Sequence, residues 1–144
     1  MKPEIPECVV DMEQKLRQIA RTVRRRGRTL LEQYGITPPQ FDALLILHKE
    51  GELTIGDLSN RLFLAYSTTT DLVDRLVAAG FVVRQRSQDD RRVVHVKMLP
   101  AGAHLIEEVL DARRAYLDAV LESLSLDEKK EILHALELLT AMMG

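Results

Sequence analysis

Four consecutive hydroxyl residues, Ser67, Thr68, Thr69 and Thr70, run directly into Asp71, with Asp74 and Arg75 a helical turn later. Such a run is poor helix-forming material, so its place at the head of an otherwise helical segment calls for a reason. Short hydroxyl side chains at a helix N-terminus donate to phosphate oxygens, and they reach base edges or a thymine methyl without blocking close approach. A second group follows: Arg84, Arg86, Arg91 and Arg92, interrupted by Asp89 and Asp90. Long cationic side chains on a thin element suit a minor groove. Both groups also have a plainer reading, as a polar helix face and a solvated hairpin. Neither supplies a catalytic set. There is no Gly-rich phosphate loop, no Ser/His/Asp neighbourhood and no paired carboxylates in a plausible pocket. His48, His95, His104 and His134 are scattered without metal-ligand spacing. No enzyme activity, metal or cofactor is expected.

The elements that position these residues are legible from periodicity and punctuation. Val9, Met12, Leu16, Ile19, Ala20, Val23, Leu30 and Leu31 recur at three- and four-residue steps, which predicts a first helix over about 7–34, ended by Gly35. Thr37-Pro38-Pro39-Gln40 is a capping box with proline at the first helical position, opening a second helix to about Lys49. Thr54 caps a short third helix whose Ile55, Leu58 and Leu62 face inward, and Phe63 to Tyr66 interrupt it. Ser67 then caps a fourth helix to about Ala79, with Leu72, Val73, Leu76 and Val77 buried and the hydroxyl run, Asp71, Asp74 and Arg75 outward. Gly80 stops it. These two short helices form a helix-turn-helix.

The period then changes. Residues 81–86 and 93–98 are β-rich runs around a polar Ser87–Arg92 stretch, which predicts a hairpin with a charged tip. Pro100 restarts a helix to about Leu124. Ser125-Leu126-Asp127-Glu128 is a second capping box opening the last helix. The expected fold is mainly α with a small β-hairpin: a winged helix-turn-helix core over about 37–99, flanked by long helices at about 7–34 and 100–144, in a single domain of 144 residues.

Composition narrows the setting. Hydrophobic residues make up 46% and charged residues 29%, which describes a globular chain able to bury a core. Aromatics are 4% with no Trp, so base-stacking readers of single strands are unlikely models. No run approaches the roughly 18 apolar residues of a membrane span, and Cys8 has no cysteine to pair with, so a cytoplasmic protein is expected. The net charge of −2 hides an asymmetry: Lys15 to Arg28 holds seven basic residues and no acid, whereas nine acids follow Ala101. That distribution permits a basic face for phosphate and an acidic body.

Several fragments, in order, resemble the MarR family of bacterial regulators, and the resemblance covers nearly the whole chain. They are Thr37-Pro38-Pro39-Gln40-Phe41, Leu58-Ser59-Asn60-Arg61-Leu62, Thr70 to Leu76, and Gly80-Phe81-Val82 with Arg84 leading to Asp90-Arg91-Arg92, which is similar to the family's Asp-x-Arg wing tip. The resemblance implies a homodimer that binds double-stranded DNA at an inverted-repeat operator, as a repressor. Its recognition helices would enter successive major grooves, Arg92 would reach the minor groove, and Asp90 would steady it. It implies too that the first, fifth and sixth helices interleave with those of the partner. The long apolar stripes agree, because they exceed what four short helices and a wing can cover.

The resemblance also implies release by an effector such as a small aromatic or phenolic compound, for which a pocket near His48 or Tyr116 is the place to look. Cys8 reads as a small apolar residue near the dimer interface rather than a redox sensor, since no second cysteine can resolve a sulfenic acid. Two departures stand out. Asp71 occupies a position where many relatives carry a basic or neutral residue, and Leu99 replaces a Thr that commonly caps the fifth helix. The DNA-binding residues expected are therefore Ser67, Thr68, Thr69, Thr70, Asp71, Arg75, Arg84, Arg86, Asp90, Arg91 and Arg92. The alternative is a winged helix used as a protein-interaction module, with the arginines meeting a partner's acidic patch.

Overall fold

The computed structural model describes residues 1–144. In chain order the elements are α1 (Glu7–Gln33), α2 (Pro38–Glu50), β1 (Leu53–Thr54), α3 (Ile55–Leu62), α4 (Tyr66–Ala78), β2 (Val82–Arg86), β3 (Val94–Met98), α5 (Pro100–Val120) and α6 (Leu126–Met143). The chain divides into two compact units, Met1–Val109 and Leu110–Gly144, with the boundary inside α5.

In the first unit, two of the three predicted side-chain caps form. The Thr37 side chain accepts from the Gln40 backbone N–H while the Gln40 side chain accepts from the Thr37 backbone N–H, so two orphan amides at the start of α2 are satisfied reciprocally. The Thr54 hydroxyl accepts from the Asp57 N–H at 3.1 Å and caps α3. Phe41, Leu44, Leu58, Val73, Leu76, Val82, Val96, Ile106 and Val109 are fully buried, and they join α2, α3, α4, the sheet and the first turns of α5 around one core. Each such side chain contributes about 1.5–3 kcal/mol from its removal from water. Arg61 of α3 donates to Glu50 at the end of α2 at 2.8 Å, and that partner raises the guanidinium pKa.

Three details differ from the sequence-based expectation. The wing belongs to a three-stranded antiparallel sheet of order β1-β3-β2, because Leu53 and Thr54 pair with Val96 and His95. A two-residue strand has no period to read, and Thr54 was already accounted for as a cap. The fourth helix begins at Tyr66, so Ser67 is not its cap: Ala65 occupies the cap position and offers no side-chain acceptor. Phe63 explains the shift. It adopts a left-handed conformation (φ 56) that turns the chain at the end of α3, and the next helix starts two residues early. Finally, α5 ends at Val120 rather than near Leu124.

At the start of α5, the Leu99 carbonyl accepts from the Gly102 and Ala103 N–H groups, and the Leu99 N–H donates to the Phe81 carbonyl at 2.9 Å. This stitches α5 to the residue that leads into β2, the first strand of the wing. Gly102 makes the contact possible, since a Cβ there would lie 2.6 Å from the Phe81 oxygen and 2.9 Å from the Met98 side chain. The first clash is with backbone already fixed by a hydrogen bond. Gly102→Ala is therefore expected to lower stability by about 1–3 kcal/mol through overpacking. Urea denaturation reads this as a lower midpoint, and an unchanged midpoint would show that the helix start can retreat freely.

The second unit carries the end of α5 and all of α6. The Ser125–Glu128 capping box forms as predicted. None of its residues is buried within the chain. Ile132, Leu133, Leu136, Leu138, Met142 and Met143 of α6 are exposed, as are Val9, Met12, Leu16, Ile19 and Val23 of α1. No helix of the structure is long and apolar enough to cross a membrane.

Candidate nucleic-acid interface

Helix phase sorts the hydroxyl run. Thr69, Leu72, Val73 and Leu76 stand at i, i+3, i+4 and i+7, so they share the buried face of α4. Thr69 is 0% exposed and its hydroxyl donates to the Ala65 carbonyl at 3.1 Å. Its expected place on the outward face is therefore corrected: Thr69 is a core residue, its methyl packed and its hydroxyl satisfied by the preceding turn. The apolar spacing carried that signal, and the run of four like residues obscured it.

Thr70 is half-buried and lies, with Asp74 one turn on, beside the wing. The Arg84 guanidinium of β2 donates to the Asp74 carboxylate and, at 3.4 Å, to the Thr70 carbonyl. Period-2 alternation puts Arg84 on the same side of β2 as the buried Val82, facing this helix. Arg84 thus links α4 and the wing rather than presenting a free charge.

Ser67, Thr68, Asp71 and Arg75 are exposed on α4 at helical steps that align them on one face. Neither the Asp71 nor the Arg75 side chain has a hydrogen-bond or ion-pair partner within the chain. The start of α4 has no side-chain cap, in contrast to α2, α3 and α6, so its first N–H groups remain available to an anion. Tyr66 at this end is 62% exposed and Phe63 94% exposed. Sequence reasoning passed over both as a mere interruption between helices.

The wing tip is ordered by its own hydrogen bonds. The Ser87 hydroxyl accepts from the Asp89 and Asp90 N–H groups, the Ser87 N–H donates to the Val93 carbonyl at 2.9 Å, and the Val93 N–H donates to the Asp90 carbonyl at 3.0 Å. Asp90 then holds Arg92 twice over. Its Oδ1 accepts from the Arg92 N–H at 3.0 Å and from Nε at 3.2 Å, and Oδ2 accepts from Nη2 at 3.3 Å. These bonds hold the Asp90 carboxyl below its ordinary pKa, because Arg92 stabilises its charged form. The Arg92 side chain is still 91% exposed. Arg86 and Arg91 are exposed as well and make no ion pair. The lobe therefore presents Arg75, Arg86, Arg91 and Arg92 to solvent along with the hydroxyls and Asp71.

Elsewhere, an open cavity of about 370 Å³ beside the wing is lined by Glu52, Gln85, Arg86, Ser87, Gln88, Asp89 and His95. His48 is exposed on α2, and Cys8 is exposed at the start of α1. The seven basic residues from Lys15 to Arg28 all lie on α1, where Arg17 pairs with Glu13 at 2.8 Å. No group of three or more His, Cys, Asp or Glu side chains is arranged to hold a metal ion.

Comparison with known proteins matches residues 34–93 to the MarR family. The HTH-type transcriptional regulator YsmB of Bacillus subtilis is 46% identical over 122 residues, covering 85% of this chain and 84% of that protein. A MarR family protein from Bacillus stearothermophilus has a solved structure that superposes with a TM-score of 0.88 at 45% identity, covering 97% of this chain and 99% of the other. The transcriptional regulator Tm0710 from Thermotoga maritima superposes at 0.76 with 35% identity, over 92% and 94% of the two chains. With that likeness extending from the helix-turn-helix through the wing to the flanking helices, the chain belongs to the MarR family of winged helix-turn-helix transcriptional regulators.

Proposed function

We propose that the protein is a homodimeric, sequence-specific double-stranded DNA binder that represses by occupying a palindromic operator. Its α4 enters the major groove and its wing the adjoining minor groove. The observation that carries this reading is the pairing of an uncapped, hydroxyl-bearing helix face with a rigidly attached basic wing, both solvent-exposed on one lobe. A major groove admits one α-helix, and base edges there are within reach of short side chains. The wing's exposed arginines supply the phosphate and minor-groove charge that such docking requires. The dimer is supported by the exposed apolar stripes of α1 and α6, which a soluble monomer rarely leaves open.

Fluorescence anisotropy with random duplex DNA at two salt concentrations tests the first part. Weak binding that falls steeply with salt is expected, because cations that neutralise phosphates release counterions. Selection from a random duplex library tests the rest, and should return an inverted repeat with half-site centres about 10 bp apart. Binding to no duplex at either salt concentration would favour a protein-interaction role for the same lobe.

A further inference from the structure

Asp71 is an acid on a surface meant for a polyanion, and the structure gives it no internal task. Asp74, three residues on, is engaged by Arg84 and so has a structural role in fixing the wing. Asp71 is exposed and makes no ion pair, although Arg75 stands one turn away. It shares its face of α4 with Ser67 and Thr68, which are small enough to let the helix backbone come close to base edges. A one-methylene side chain such as Asp needs that closeness to reach anything.

We propose that Asp71 is a specificity-determining residue that accepts a hydrogen bond from a cytosine N4 amino group, so that each half-site carries a C·G pair opposite it. This rests on the DNA-binding reading above. An ionised carboxylate only accepts hydrogen bonds. The major groove offers two donor groups, cytosine N4 and adenine N6. Adenine N6 lies beside the acceptor N7 of the same base, which repels a carboxylate, whereas cytosine N4 is flanked within its ring by a C–H. Phosphate repulsion weakens Asp71's approach to every sequence alike, so the net effect is discrimination: duplexes lacking the amino group meet an uncompensated negative charge.

The test is selection from a random duplex library with the full-length protein, Asp71→Asn and Asp71→Ala. Competition binding then follows on operators altered at the one assigned pair. The wild type is expected to fix a C·G pair at one position per half-site and to lose roughly 10-fold in affinity when that pair is replaced. Asp71→Asn should move the preference there to A·T, because an amide matches adenine N6 and N7 together. Asp71→Ala should leave the position degenerate, with the other positions unchanged in both variants. If both variants select the wild-type sequence and merely bind all duplexes more tightly, Asp71 is only a repulsive charge and the proposal fails while DNA reading stands. If the wild-type protein enriches no sequence at all, the wider reading fails first.

Discussion

Deleting residues 125–144 is expected to abolish the dimer and weaken operator binding by about 10²–10⁴-fold, the loss that follows when two linked half-site contacts become one. The physical ground is α6. Its capping box is complete, yet the helix buries none of its own residues within the chain and leaves Ile132, Leu133, Leu136 and Leu138 open. Isolated helices of this length are marginal in water, and most draw their stability from packing an apolar face. In the proposed dimer, a covering surface from a second copy supplies that packing. Because truncation also exposes apolar surface elsewhere, a full-length double substitution, Leu133→Lys with Leu136→Lys, serves as its companion. Sedimentation velocity should show monomer or aggregate for the truncation and monomer for the substituted chain. A truncated protein that sediments as a dimer and binds its operator normally would remove α6 from the interface.

The second large effect concerns Arg92. Arg92→Ala is expected to lose about 1–3 kcal/mol of operator affinity, roughly 5- to 150-fold. The loss should be larger when the sequences flanking the operator are A·T-rich than when they are G·C-rich, because narrow A·T minor grooves concentrate negative potential. Thermal stability should hold nearly constant, since the side chain is 91% exposed and its contacts are confined to Asp90 two residues away. A role limited to phosphate predicts equal losses on both flanks and a smaller salt slope. If affinity is unchanged on both flanks, the wing is not a DNA contact.

Signals confined to a few neighbouring residues were legible. Thr37 with Gln40 and Ser125 with Glu128 announced two helix starts, and the switch from helical to alternating spacing announced the wing. What escaped depended on contacts or conformations that spacing does not encode. The left-handed Phe63 is a bulky residue where a glycine or asparagine would have marked the turn, so the start of α4 was placed too late. Thr69 was grouped with its exposed neighbours because its residue type outweighed its phase. The destination of Arg84 was not readable, since its partner Asp74 lies 10 residues back and is brought to it by the sheet's position against α4. Among the predicted site residues, sequence therefore did not separate exposed side chains from structurally engaged ones: Thr69 is buried and Arg84 is tied to Asp74.

The Arg84–Asp74 link has a consequence for retargeting. It ties helix to wing through a side chain on the wing-facing flank of α4, leaving the face that carries Asp71 free of structural duties. Ser67, Thr68, Asp71 and Arg75 are thus a replaceable set: exchanging them should alter which sequence is read while the geometry of reading stays the same. A library varied at those four positions, with Thr69, Asp74 and Arg84 held constant, would yield folded proteins at high frequency. On the proposed function, Asp74, which holds the wing, and Asp71, which has no partner, separate the geometry of reading from its specificity.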